Sequence, residues 1–435
     1  MRDVKRRIET YSFYDRSAIS SHLEAMAAKG WQLERITSSF WYYRRSEPQK
    51  LHYAVTYYPS GSAFDPEPNP GLGELYELCE HAGWEYVTGF AEMNIFVNSR
   101  ENPTPLETDP VVELETIHKS AKRRLLTPYW ILFAICVVFA FLGLGKLFTD
   151  PVYALSGLYS VPAGVCSALC AAALAVELVG YYRWRSRARE AAAHGESVET
   201  KSPYQALRVL LILALAALAV MLLCMFIVGD NYMRFTICVI LGVYIIGSAI
   251  MRASTKLFKR RGSSKTKTMV LSVALVFAVC FALYSAAAPT ANDLGEEVYS
   301  AEEDYVNQTL TLAALVGHET PGYMPSWSKR ESVLLAQSSV REWYRESYYT
   351  DSSEDIGDLE YTTTFVKLPA LYGFCERSLS RGGESVDPEP WGADRAYDMG
   401  GNSYTLCYPG KIVEISLPFS PSAEQMAIVY ERLGN

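Results

Sequence analysis

PYWILFAICVVFAFLGLGKLF, residues 128–148, decides how this chain is read. A helix crosses the hydrocarbon core of a bilayer with about 20 mostly apolar residues, and this run has that length and composition. Four more runs follow: Val161 to Tyr182, Tyr204 to Val228, Phe235 to Met251 and Met269 to Ala288. The fourth is the shortest. Backbone amides in lipid must be bonded within their own segment, so all five are expected to be helices. The expected fold class is a multi-domain membrane protein. An α-helical transmembrane block of about five spans covers residues 127–288, with an α+β domain on each side.

Lysine and arginine choose the orientation. Basic residues crowd the approach to the first span (Lys119, Lys122, Arg123, Arg124). They also crowd the connection between spans two and three (Arg183, Arg185, Arg187, Arg189, Lys201, Arg208) and that between spans four and five (Arg252, Lys256, Lys259, Arg260, Arg261, Lys265, Lys267). The connections Thr149 to Ser160 and Gly229 to Arg234 carry almost none. The N-terminus is therefore expected in the cytoplasm and the C-terminal region outside, in a multi-pass protein of the cell membrane. Met1 to Thr10 is charged and no apolar core follows it, so the first span is expected to act as the targeting signal. Glu177 and Lys146 lie inside spans, where an ionisable group is a functional hint. Both are near enough to an interface to snorkel. The spans lack mid-depth polar residues and broken helices, which argues against a permeation path.

The formal charge of −8 divides unevenly: residues 289–435 hold 24 acids against 10 bases, a net −14, which leaves +6 for the rest. The basic loops suit anionic lipid and topology rather than nucleic acid. The bilayer is thus the one partner read directly from the residues.

Residues 1–100 contain a duplication. A helical run ends at Gly30 and Trp31 opens a strand, with Phe40 to Arg45 as the next strand; a second run ends at Gly83 and Trp84, with Met93 to Val97 following. Each glycine suits the left-handed position that closes a helix. Alternating runs precede each copy, Lys5 to Tyr14 and Leu51 to Tyr58, so the unit is β-α-β-β, twice. Asp15 or Ser17 suits the cap of the first helix, with Ser20 and Ser21 as competing starts. Asp65 to Pro70 is a proline-rich loop before the second helix.

The Ala28-Lys29-Gly30-Trp31 signature, the Phe40 to Tyr43 strand and the echo His81-Ala82-Gly83-Trp84-Glu85-Tyr86 resemble the DUF2812 family, a bacterial domain of unknown function often followed by membrane spans. The resemblance implies no catalytic residue. It does imply a genomic setting beside PadR-like transcriptional regulators, and so a regulatory partner in the cytoplasm. The element order alone is also similar to the GyrI-like fold, which holds aromatic molecules between its halves. On that analogy Trp31, Trp41, Tyr43, Tyr53, Tyr57, Trp84 and Tyr86, with Phe96, are candidate ligand-binding residues; the competing account is that they fill the domain's own core.

Residues 101–126 form a connector. Asp109-Pro110 suits a helix start, acids come early and bases late, and the helix runs into span one as a stalk or a relay. In residues 289–435, Pro289 to Asp304 reads as an acidic linker turning helical near Ala301. Lys329 to Tyr344 has helical spacing, Glu360 to Leu368 alternates as a strand, and Pro369 to Leu379 suits a short helix or a strand. Ser403 to Leu417 reads as a hairpin turning at Pro409-Gly410, and Ser422 caps a last helix to Leu433. Cys375 and Cys407 are a candidate disulfide, or two unpaired core residues. Asn307-Gln308-Thr309 matches a glycosylation acceptor.

The sequence contains no nucleophile elbow, complete phosphate-binding loop, His-Glu-x-x-His or paired Cys-x-x-Cys. No cofactor, metal or catalytic residue is expected. The leading reading is a non-enzymatic protein that couples an outside domain to a cytoplasmic one in sensing or regulation. A module binding an aromatic ligand and an envelope-associated structural protein are the alternatives.

Overall fold

The computed structural model describes residues 4–434, apart from 10, 13, 38–39, 66–71, 107–108, 197, 199–203, 262–263, 308–309 and 345–355. The proline-rich loop therefore lies mostly outside the described residues, as do Gln308 and Thr309 of the acceptor motif. The chain divides into two compact units: residues 1–138, 167–215 and 242–283, and residues 139–166, 216–241 and 284–435.

The first unit carries the duplication. β1 (Val4–Arg7), α1 (Arg16–Ala28), β2 (Trp31–Ile36) and β3 (Trp41–Arg45) make a sheet of order β1-β3-β2. β4 (His52–Tyr57), α2 (Gly73–His81), β5 (Glu85–Phe90) and β6 (Met93–Asn98) repeat it as β4-β6-β5. Each helix gives way to a glycine at positive φ, +77° at Gly30 and +83° at Gly83, the conformation that glycine adopts without steric cost. Both copies also carry an irregularity at the same place, between Leu33 and Arg35 and between Tyr86 and Thr88. Asp15 caps α1, its Oδ1 accepting from the amide of Ala18 at 3.4 Å.

The connector is α3 (Pro110–Ala121), which Asp109 caps by accepting from the amides of Val111 and Val112. It is not a bare stalk. Ile117 and Ala121 are buried in the same core as Ile19, Leu23 and Tyr43, and Arg16 pairs with Glu113.

Next come α4 (Thr127–Thr149), α5 (Pro151–Ser156), α6 (Ser160–Ala193), α7 (Tyr204–Val228), α8 (Asn231–Arg260) and α9 (Lys265–Asn307). All but α5 are long and apolar enough to cross a membrane. Their bulky side chains face outward, Phe141 at 75% exposure and Phe277 at 72%, as a lipid-facing surface requires. A Cβ added at Gly143 would lie 2.6 Å from the Ser160 carbonyl and 2.8 Å from Gly164 Cα. Small residues thus let α4 and α6 approach closely. The expected linker after Pro289 is instead helical: α9 continues through that proline to Asn307.

In the second unit α10 (Leu312–Val316) leads into β7 (Tyr323–Glu331), β8 (Leu335–Tyr344) and β9 (Leu359–Val366). After α11 (Tyr372–Leu379) come β10 (Glu384–Val386), β11 (Arg395–Gly400), β12 (Ser403–Tyr408), β13 (Lys411–Ser416) and α12 (Ala423–Val429). The antiparallel sheet has the order β10-β11-β12-β13-β9-β8-β7. One face packs Val340, Tyr361, Val413 and Ile415 against Trp391, α10 and α12. The other packs Leu335, Val366, Cys407 and Ile412 against Cys375 of α11 and Val152 of α5. Ser422 and Gln425 close a capping box on α12. Lys329 to Tyr344 is a hairpin, not a helix. The Ser332 hydroxyl accepts from the amides of Leu334 and Leu335 and turns the chain, and β8 pairs with strands on both sides. That non-local pairing outweighs an apparent helical spacing.

Candidate functional site

The second unit holds a cleft of about 720 Å³ on the α5 side of its sheet. The register builds its floor. Ser328, Ser339, Thr362 and Glu414 are cross-strand neighbours on β7, β8, β9 and β13. The next row, two residues along, is Arg330, Gln337, Thr364 and Ile412. Side chains two apart share a face, so one apolar row seals the sheet against α5 and α11 while its continuation is hydroxyls, an amide and charges.

Most of these polar groups are satisfied locally. The Ser339 and Thr362 hydroxyls are 2.8 Å apart. Gln337 donates to Thr364 Oγ1 at 3.1 Å and accepts from Ser156 of α5 at 2.7 Å. Asp150 caps α5 by accepting from the Tyr153 amide at 3.0 Å. Arg330 differs. Its guanidinium lies over the Tyr153 ring, 3.4 Å from the centroid, and its buried Nη1 has no hydrogen-bond partner. Lys146 approaches the same ring, its Nζ 4.3 Å from the centroid. Glu414 is the second exception: among the described residues its carboxylate makes no hydrogen bond or ion pair.

Burial, with the nearby Asp150 charge, pushes the Glu414 carboxyl up to about 7. Burial also raises Asp150, against the pull of Lys146 and Arg330, and lowers Arg330. Desolvation dominates each case, because burial disfavours the charged form. The groups aimed into the cleft are suited to recognising charge and hydrogen bonds. Among the described residues no cluster of three or more His, Cys, Asp or Glu side chains could hold a metal ion.

The first unit contains a second polar constellation, where the segment between β1 and α1, together with α3, meets α6. The Ser12 hydroxyl donates to Glu177 Oε2 at 2.7 Å in a buried position. Tyr14, fully buried, stacks on Trp184 at 5.3 Å and meets Tyr181 edge-on at 5.5 Å. His118 of α3 is 2.7 Å from the Tyr181 hydroxyl. Glu177 is therefore not a snorkelling acid: at 3% exposure it anchors the N-terminal domain to a long apolar helix.

The aromatic residues expected to line a ligand groove are distributed otherwise. Trp41, Tyr43, Tyr53 and Tyr57 are buried in one core, with Trp31 packed at its margin. Trp84 is buried in a separate cluster with Phe96, where its indole donates to the Thr104 carbonyl at 2.8 Å. Tyr86 is exposed and lies 4.5 Å from the Tyr76 ring. A side chain as closed as Tyr43, at 0% exposure, offers no face to a ligand without opening its core. Cys375 and Cys407 are buried in one apolar cluster as free thiols. Tyr372 of α11 is close enough to hydrogen-bond the Cys407 thiol, and burial pushes that thiol up to about 11.

Sequence reasoning missed the cleft. Glu414 alternates with Val413 and Ile415 and reads as the wet side of a half-buried strand. A signal was present in Asp150-Pro151, the same helix start as Asp109-Pro110, which marks the connection after α4 as structured.

Residues 16–130 match the model of DUF2812, described as a protein of unknown function. The match begins at α1 and ends inside α4, so it takes in α3, as the packing of Ile117 and Ala121 into the core requires. No curated protein and no solved structure matches the chain.

Proposed function

We propose that this DUF2812-bearing chain is a multi-pass protein of the cell membrane, non-enzymatic, that couples its C-terminal domain outside the cell to its N-terminal domain in the cytoplasm in sensing or regulation. The observation that carries the reading is α6. Its first turns, to Cys166, belong to the unit that holds the C-terminal domain, and from Ser167 it belongs to the unit that holds the N-terminal domain. Its far half bears Glu177, Tyr181 and Trp184, onto which that domain docks. A rigid helix whose rotation or translation displaces a docked domain is a recognised means of relay. The α3 packing supports it, since a free stalk would transmit little. A cytoplasmic regulatory protein, of the PadR-like kind that the family resemblance implies, is the proposed partner.

The test is capture of cytoplasmic proteins by the intact chain and by a chain ending at residue 310, both in native membranes, with impermeant labelling of a cysteine placed at Ser380 to report its side. Coupling predicts labelling from outside and a captured set that changes on truncation. Labelling from inside, or an unchanged set, overturns it.

A further inference from the structure

We propose that the cleft of the C-terminal domain binds a short zwitterionic peptide, its carboxylate held by Arg330 and its ammonium by Glu414. This names the input for the coupling reading and rests on that reading only for its consequence.

The lining of the cleft leaves charged groups without protein partners among the described residues. Buried polar groups in folded proteins are nearly always satisfied, and in this cleft Gln337, Ser339, Thr362 and Ser156 are. Two groups of opposite charge stand apart on the lining. Among the described residues, Arg330 Nη1 has no hydrogen-bond partner, and the Glu414 carboxylate makes no hydrogen bond or ion pair. Arg381, at the α11 side, is a further cation. Arg330 and Glu414 do not neutralise each other. Arg330 lies opposite Gln337, which lies opposite Thr364, which lies opposite Ile412, two residues from Glu414. Three strand spacings of about 4.8 Å separate those backbones by about 14 Å. Both side chains project into the cleft, which leaves a charge separation on the order of 10 Å, the end-to-end length of about three extended residues. The cleft volume of about 720 Å³ admits such a ligand.

The intervening hydroxyls and the Asp150 carboxylate suit peptide amides. The Tyr153 ring holds the guanidinium plane in place beforehand, which lowers the ordering cost of carboxylate capture. A neutral polyol would use the hydroxyl row but leave both charges uncompensated, and that is costly in a desolvated site.

The experiment is calorimetric titration of the full-length protein in nanodiscs with trialanine, N-acetyl-trialanine, trialanine amide and glucose. Trialanine is expected to bind, with each blocked form at least tenfold weaker and glucose weaker still. Glu414→Gln is expected to abolish the discrimination against the acetylated form alone, and Arg330→Gln the discrimination against the amide alone. These paired ratios separate recognition from a general folding defect. Absence of trialanine binding, equal binding of the blocked forms, or preference for glucose overturns the proposal. None of these outcomes bears on the docking of the N-terminal domain to α6, which is measured separately by cross-linking.

Discussion

Glu414→Gln should flatten the pH dependence of the C-terminal domain's stability. The wild-type carboxyl titrates near 7 when folded, against an ordinary value of 4.5. Between those values the folded state holds the proton more tightly than the unfolded state, so stability is greatest at the acid end and falls as pH rises towards 7. Asp150 from the α5 cap repels the carboxylate, and its own raised titration acts in the same direction. Arg330 from β7 and Arg381 after α11 line the same cleft. Were the carboxyl sealed from water, the displacement would be worth about 3 kcal/mol. The cleft is open, and screening reduces the expected loss to about 1–2 kcal/mol. For a domain of this size that is a fall in Tm of roughly 3–8 °C between pH 5 and pH 7.5. Thermal melts of the full-length protein, followed by tryptophan fluorescence, should show this slope, because Trp391 is buried in the same domain at 2% exposure. The glutamine variant should keep only the shallower dependence due to Asp150. Equal slopes in the two proteins would refute the reasoning.

Gly30→Ala should cost about 1–3 kcal/mol, because it places a side chain at φ +77° with its Cβ 2.8 Å from the Ser46 carbonyl oxygen; a lowered melting midpoint of the N-terminal domain checks it. Ile117→Ala opens a cavity at a position of 1% exposure and should cost about 2–4 kcal/mol. Hydrogen exchange should then quicken in α1 as well as α3, since the two share a core; a rise confined to α3 would contradict that packing. Alkylation of the unreduced, denatured protein should modify both Cys375 and Cys407, and recovery of a linked peptide pair would contradict their assignment as free thiols.

The doubled unit was legible because it rests on local chemistry. Gly30 and Gly83 end helices for a steric reason that acts over a few residues, and each tryptophan that follows opens a strand. The apolar runs were legible for a similar reason, since length and composition alone define them. The misreadings share a different cause. Lys329 to Tyr344 shows helical spacing, yet its partners lie on β9 and across the Ser332 turn, and pairing at that distance leaves no local period. Glu177 reads as a snorkelling acid because the hydroxyl that binds it, Ser12, is far away in sequence. The connector reads as a stalk because Ile117 and Ala121 recur at helical spacing whether they face water or a core. The cleft was hidden for the same reason, being assembled from five strands and a six-residue helix. The aromatics of the first hundred residues were visible, but only packing could say that most of them face inward.

The most direct test of the account is oxidative cross-linking of the Ser12→Cys, Glu177→Cys pair in native membranes, in the intact chain and in a chain ending at residue 310, with the linked peptides identified by mass. In the wild-type protein these side chains touch at 2.7 Å. The account predicts efficient cross-linking in the intact chain and a rate changed several-fold when the C-terminal domain is removed. No cross-link in the intact chain would contradict the docking, and an identical rate in both chains would contradict the coupling.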